Sequence, residues 1–563
     1  MKNKLILITV CLVTVQLIWA QNNPDDLGVQ EVQITDYFIP EIPPSSKIER
    51  IPTLKDTIQT SHQITIQPIN KEFESKLALI PIKAAKIKGQ PLPKIDRILI
   101  SGGVGNMSMP TSKIYYNSDR DKNTIYGIGL AYVESYANIK SIFDEMQKVS
   151  AAFRKTDVSL FAKTDLDIGI LSGRLLREGR LYQAYGYDPT MFNLAEELTQ
   201  QYWGYSSFNI VLEGKTANTN MPRYTTKLRL YDLNEYTENL ISWSLDLNKQ
   251  YAENEYFLKV GLDYYLNNLS SKYQFVDSLK KELIFTLKPT ITKQVHGGTL
   301  ALGFDLKSVG QRDSSAATMS IFPAIRYSYV VSEDYVSARA GVRGGLQKNS
   351  YWSLSKTNPF VLDAQRYDGG TLELVNTKTI YDIYAGFSTY MGNNISIDAE
   401  CSYANVKQMP FFELDANSTF SNKFKVVYDD VMHFHATASL HWKSSKKSQF
   451  DLSFDLHDYQ TDSLKHFAYK PTLITRLKGH YNLGDKIIPQ IELFTAFNRS
   501  FHSDTSNGLD LDDIIDFNIS LEYKYNTNIS AYFKGYNLIG GYQTWQHYPV
   551  LGPQVFFGLS FKL

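Results

Sequence analysis

From about Ile95 to the C-terminus the chain alternates apolar and polar positions with a period of two. The last nine residues show it most clearly: Val555, Phe557, Leu559, Phe561 and Leu563 fall on one face, and Phe556, Gly558, Ser560 and Lys562 on the other. Such alternation predicts strands with one apolar side. Upstream, Ile241, Trp243, Leu245 and Leu247 alternate with Ser242, Ser244, Asp246 and Asn248, and Leu258, Val260, Leu262 and Tyr264 with Lys259, Gly261, Asp263 and Tyr265. Phe450, Leu452, Phe454 and Leu456 alternate with Asp451, Ser453, Asp455 and His457, and Phe517, Ile519, Leu521 and Tyr523 with Asn518, Ser520, Glu522 and Lys524. Met432, Phe434, Ala436, Ala438, Leu440 and Trp442 alternate with His433, His435, Thr437, Ser439, His441 and Lys443.

A soluble sandwich also alternates, so three further details decide the class. The predicted strands run to about ten residues or more, the reach of a tilted strand across a bilayer. Aromatic residues sit at the ends of the apolar faces. Tight turns such as Lys447–Ser448, 392–394 and 525–528 mark one side, and longer polar loops around 353–378 and 500–512 mark the other. Short turns on one side and long loops on the other are the outer-membrane pattern. Ending the chain on an amphipathic strand fits a closed barrel, whose last strand pairs with its first. The reading is an all-β fold, a transmembrane antiparallel barrel of about 22 strands, within a range of roughly 20–22. A wall that wide encloses a lumen side chains cannot fill.

The first part of the chain differs. Lys2 and Lys4 precede an apolar run from Leu5 to Val15, and Ala20 ends the segment before Gln21, as in a signal peptide over residues 1–20. Cys11 lies in that run behind Val10, which is not the small residue a lipoprotein signal requires; the mature chain then holds only Cys401 and no intrachain disulfide. Residues 21–94 contain nine of the twenty prolines, which removes ladder donors, and are expected to be an extended periplasmic or lumen-threading segment. The barrel occupies 95–563. Formal charge is zero, which gives no basic surface for nucleic acid. The 38 tyrosines, 30 phenylalanines and 6 tryptophans suit a protein with two membrane–water interfaces.

The segment Asn537–Leu538, Tyr542, Trp545, Tyr548–Pro549, Gly552, Gly558, Phe561 and Leu563 resembles the C-terminal end of TonB-dependent outer-membrane receptors. Ile100 to Asn106, with Gly102, Gly103 and Gly105, resembles the first strand of a plugless receptor-like group. The resemblance implies solute uptake, with TonB as a partner. It departs from the family in two respects: the last residue is Leu563 rather than Phe, and residues 21–94 are too few for the family's plug. The stretch Gln30, Glu31, Val32, Gln33 and Ile34 is the weak candidate for a TonB box. Expected partners are outer-membrane lipid, the β-barrel assembly machinery, and TonB or other outer-membrane and periplasmic proteins.

Chemistry is sparse. The lumen-lining candidates are Asp246, Lys259, Asp263, Asp382, Asp398, Glu400, His433, His435, Asp451, Asp455 and Glu522. Period-two histidines can share a metal, and paired carboxylates such as Asp398 and Glu400 can run acid–base hydrolysis. The plainer reading of both is polar lumen wall, so no catalytic residue, metal or cofactor is expected. Residues 507–513 lack the spacing of a calcium loop and read as a solvated outer loop, and no helix follows the Gly102–Gly105 cluster to make it a phosphate cradle. Two stretches, Ile139–Phe153 and Met191–Trp203, show helical spacing and are expected to be either short helices or structured loops with aromatic cores. Two functions follow: solute transport through a gated lumen, or service as a filled scaffold subunit of a secretion or assembly complex.

Overall fold

The computed structural model describes residues 96–563 except 120, 122, 216–220, 234–237, 268–280, 312–316, 333–334, 362–373, 393, 446, 465–468 and 504–505. The signal peptide, the Pro-rich segment and the TonB-box candidate at Glu31–Ile34 therefore lie outside the described residues.

Period-two alternation becomes a single closed antiparallel sheet of 22 strands. In chain order these are β1 (Ile98–Gly105), β2 (Met109–Asn117), β3 (Thr124–Ser135), β4 (Phe153–Leu166), β5 (Gly169–Gln183), β6 (Gln200–Gly214), β7 (Arg223–Leu233), β8 (Glu238–Tyr251), β9 (Asn254–Asn267), β10 (Glu282–Val295) and β11 (Gly298–Gln311). They continue as β12 (Thr318–Ser332), β13 (Val336–Gln347), β14 (Thr377–Met391), β15 (Ile395–Leu414), β16 (Phe424–Ser445), β17 (Ser448–Thr461), β18 (Leu473–Tyr481), β19 (Ile487–Phe497), β20 (Ile514–Lys524), β21 (Ile529–Tyr536) and β22 (Gln554–Lys562). Each pairs with the next in sequence, and β22 closes on β1 from Leu99↔Lys562 to Gly105↔Phe556. Backbone bonds from Arg97 N to Leu563 O at 2.7 Å and from Leu563 N to Ile98 O at 2.9 Å finish the seam. A closed ladder leaves no edge unpaired, which hydrocarbon demands.

The seam explains the early glycines. Gly103 faces Gly558 across it, and the ring of Tyr532 on the neighbouring strand lies over the pair. A Cβ on Gly103 would sit 2.5 Å from the Phe557 carbonyl and 2.6 Å from the Tyr532 hydroxyl. The glycines thus admit a close aromatic approach, as a strand glycine often does.

Large apolar side chains mark the outer face. Phe557, Leu559, Phe561 and Leu563 are exposed on β22 and just beyond it, as are Ile241 and Trp243 on β8, Leu262 on β9 and Phe454 on β17. The connections sort by side as the sequence indicates. Turns 252–253, 296–297, 392–394, 446–447 and 525–528 join strands at the end where the C-terminus lies, whereas 136–152, 184–199, 348–376, 498–513 and 537–553 join them at the other.

The described parts of those long loops are structured. In the 136–152 loop, Asn138–Lys140 pairs with Lys148–Ser150 as a small hairpin. Val149 is buried while Ile142, Phe143 and Met146 are exposed, so the apolar residues do not form the common face of a helix. In the second stretch only α1 (Glu196–Thr199) is helical, and Trp203 belongs to β6. Strand pairing with β5 outweighs the weak helical spacing there. Within 498–513, Arg499–Ser503 and Ser506–Leu511 form a hairpin, with Arg499 and Leu511 both buried, so the loop is more than a solvated connection. The 348–376 loop carries α2 (Tyr351–Thr357), started by the Ser350 side chain accepting from Ser353 N.

Candidate functional site: the loop-closed mouth and the charged lumen wall

At the loop end the barrel's inner face turns apolar and aromatic. Alternation on β6 points Trp203 and Tyr205 inward, and the register puts Tyr231 of β7 and Leu240 of β8 on the same face. These meet Tyr351, Trp352 and Leu354 of α2, then Phe360, Val361, Phe412, Phe424, Trp545 and Tyr548 from other loops and strand ends, in one buried cluster. Phe360 stacks on Tyr548 at 3.7 Å between ring centroids, and Tyr205 on Trp352 at 4.4 Å. Burial of this extent stabilises by roughly 1.5–3 kcal/mol per large apolar side chain. The described loop residues therefore fold into the mouth as a packed lid.

Buried polar contacts fix the lid to the wall. Glu238, 2 % exposed, accepts from Tyr231 Oη at 2.8 Å, from Tyr351 N at 2.6 Å and from Trp352 N at 3.4 Å. It neutralises the N-terminal donors of α2, which have no partner within the helix. Glu282 accepts from Lys348 at 2.5 Å and also from Asn376, so one carboxylate holds both ends of the 348–376 loop. Asn349 closes the same base by donating to Val375 O at 2.7 Å and Thr377 Oγ1 at 2.8 Å. Farther along, Trp203 donates to Pro359 O at 3.2 Å and Gln201 to Val361 O at 3.1 Å. Tyr548 donates to Asn422 O, and Asn422 donates to Ala184 O at 2.6 Å. Arg499 ties the 498–513 hairpin to the last loop through Gln543 O at 2.8 Å and Thr544 O at 2.5 Å.

Burial perturbs the ionisable groups of these loops. Desolvation pushes the Tyr548, Tyr185 and Tyr469 hydroxyls up, holds the Lys470 amine below its ordinary value, and lowers His547 to about 4.

Below the mouth the inner wall is charged. Arg339 and Arg343 of β13 point inward four residues apart. Arg339 meets Asp398 at 2.7 and 2.9 Å and Glu400 at 2.9 Å; Arg343 meets Asp382 at 2.7 Å and Glu400 at 2.9 Å. The Asp398–Glu400 pair is thus clamped by two guanidinium groups and not poised as an acid and a base. Asp246 pairs with Lys227 at 3.2 Å and lies opposite Lys259 in the ladder. Asp263 lies opposite Ser242 and Ile284. Asp451 meets His441 Nδ1 at 2.6 Å, and Asp455 lies 3.6 Å from His435. Glu522 faces Tyr532 across β20–β21, with Lys534 of β21 near enough to feel its charge.

His433 and His435 share the inner face of β16, and β17 adds two rings to them. His457 stacks on His435 at 4.5 Å, Tyr459 stacks on His433 at 4.5 Å, and His433 Nε2 lies 3.1 Å from His457 Nδ1. Arg339, Arg343, His457, Glu238 and Glu282 are absent from the lumen-lining residues expected from the sequence. The arginines and His457 carried a usable signal, since each sits on the polar face of an alternating strand. Glu238 and Glu282 carried none, because the loop residues they hold are more than sixty residues away.

No family model and no curated protein matches the chain. Solved structures do. The FrpB iron transporter from Neisseria meningitidis aligns with a TM-score of 0.63 at 8 % identity, covering 84 % of this chain and 82 % of that one. The copper transporter OprC aligns at 0.58 and 10 % identity, over 84 % and 80 %. The ferric-catecholate import receptor Fiu from K12 E. coli aligns at 0.58 and 11 % identity, over 84 % and 82 %. Together with the closed 22-stranded sheet, these similarities establish that the chain has the fold of a TonB-dependent receptor-like β-barrel.

Proposed function

We propose that the protein takes up a solute across the outer membrane of a Gram-negative bacterium, with the packed loops as its outer gate. The observation that carries this reading is the contrast within one lumen: a mouth closed by loops latched through Glu238 and Glu282, above a wall lined with ion pairs. A polar wall serves passage of a hydrated or polar solute, and a latched lid keeps the pore from leaking between transport events. The transport roles of the structural neighbours support the same direction. Energy from TonB, coupled through residues 31–34, and a barrel without the usual plug complete the proposal. Its remaining contacts are outer-membrane lipid and, during insertion, the β-barrel assembly machinery.

The interlocked mouth also favours a second reading, a filled accessory subunit of an outer-membrane secretion or assembly complex. Cells expressing the Glu238→Ala chain separate the two. Under the uptake reading, unlatching the lid admits a large antibiotic that the outer membrane normally excludes. Unchanged sensitivity, together with stoichiometric co-purification of an outer-membrane partner, would replace uptake with the scaffold. Deletion of residues 30–34 tests the TonB step separately, because it abolishes function while leaving the barrel folded.

A further inference from the structure

We propose that His433, His435 and His457 form a lumen-wall binding site for a divalent transition-metal ion of the copper, nickel and zinc class. The inference goes beyond uptake and does not depend on it. Strand pairing creates the site: His435 stands directly opposite His457 in the β16–β17 ladder, and His433 stands opposite Tyr459. Residues paired this way have Cβ atoms about 4.5–5.5 Å apart, close enough for long side chains to share a ligand.

The nitrogen positions fit the ion. Two imidazole nitrogens bound to one metal at about 2.0–2.1 Å in tetrahedral geometry lie about 3.3–3.4 Å apart. His433 Nε2 and His457 Nδ1 are already 3.1 Å apart. When the donating ring adopts its other tautomer, both facing nitrogens present lone pairs, and no net proton is gained or lost. His435 supplies a third ligand. Its Nε2 is covered and takes no hydrogen bond among the described residues, although the side chain as a whole is 30 % exposed. Asp455, 3.6 Å from that nitrogen, supplies the carboxylate that commonly orients a metal-bound imidazole. Asp382 and Asp455 are the acidic groups that bear on these rings, and Lys470 is the cation that opposes them.

No three such groups converge on one point in the resting arrangement of the described residues. Coordination therefore requires rotation of the rings about χ2, a broad and soft torsion. Imidazole ligands without thiolates favour copper, nickel or zinc over calcium or magnesium.

The test is titration of the purified, untagged full chain with Cu2+, read by electron paramagnetic resonance. The expected result is one ion per chain, with splitting from at least two imidazole nitrogens. His433→Gln and His457→Gln each weaken binding by more than about 100-fold, since even supporting partners of a metal ligand are worth up to about that factor. His480→Gln, which changes a histidine on β18 outside the patch, leaves binding unchanged. The wild-type nitrogen splitting is informative even if a variant folds poorly. Absence of stoichiometric binding, or binding that survives both replacements in folded protein, would overturn the site and leave a purely structural ring stack.

Discussion

Replacing Glu238 with Ala should release the lid while leaving the barrel standing. The carboxylate accepts three hydrogen bonds, and its donors lie on residues that are nearly inaccessible: Tyr231 at 6 %, Tyr351 at 1 % and Trp352 at 6 % exposure. Truncation strands two well-formed donors, at 2.8 and 2.6 Å, and one long contact at 3.4 Å. A buried donor left without a partner costs about 1–3 kcal/mol. Counting only the two short bonds gives roughly 2–6 kcal/mol against the closed lid. Each 1.4 kcal/mol is about a tenfold change in an equilibrium constant, so opening rises by a factor of roughly 30 to 20,000. None of the lost bonds belongs to the strand ladder, so heat-modifiable mobility should persist. Hydrogen exchange resolved by mass spectrometry reads the outcome directly. Amides of residues 351–361 should lose protection in Glu238→Ala and lose less in Glu238→Gln, which keeps one acceptor oxygen. Unchanged protection over 351–361 would refute the latch. Loss of the folded barrel would refute the separation of lid from wall.

Phe454 is an outward residue within β17, so Phe454→Arg should cost roughly 2–4 kcal/mol at the bilayer midplane and block assembly; normal heat-modifiable mobility would deny that this face meets lipid. Asp451→Asn, on the inner face, should assemble normally, and a misfolded product would reverse the inside–outside assignment. Arg339→Ala leaves Asp398 and Glu400 with one guanidinium fewer, so in an unlatched background the pore should become more cation-selective by reversal potential; Asp398→Ala in the same chain should move it back. The His547 imidazole is held at about 4 by burial, against an ordinary 6.5 when exposed. Between those values the released loop binds a proton that the packed loop does not, so lid stability is full above about 6.5 and falls as pH drops toward about 4. His547→Asn, which suits the positive φ there, should flatten lid protection across that window; a pH step that survives the change would assign it to another group.

Alternation was enough to read the barrel because a strand's period is local. Phe557, Leu559 and Phe561 declare an outer face without knowledge of any partner, and a wall of such strands fixes the count to within a few. The side of the turns was legible for the same reason. The mouth was not. Glu238 looks like an ordinary polar residue at the start of an alternating strand, and only a helix more than a hundred residues later makes it a latch. The histidine patch was half legible: His433 and His435 are two apart in sequence, whereas His457 joins them only through the β16–β17 register. Of the two expectations for Met191–Trp203, helix holds only over Glu196–Thr199, and Trp203 is an inward strand residue whose burial comes from distant loops.

The central claim is that the protein's own loops shut the mouth of a wide, polar barrel. Single-channel recording in a planar bilayer tests it most directly, comparing wild type with Glu238→Ala, each with and without residues 21–94. The account predicts a silent wild type in both forms and discrete openings when the lid is unlatched. A large steady conductance from wild type lacking residues 21–94 would contradict it, because the loops would then not be the barrier.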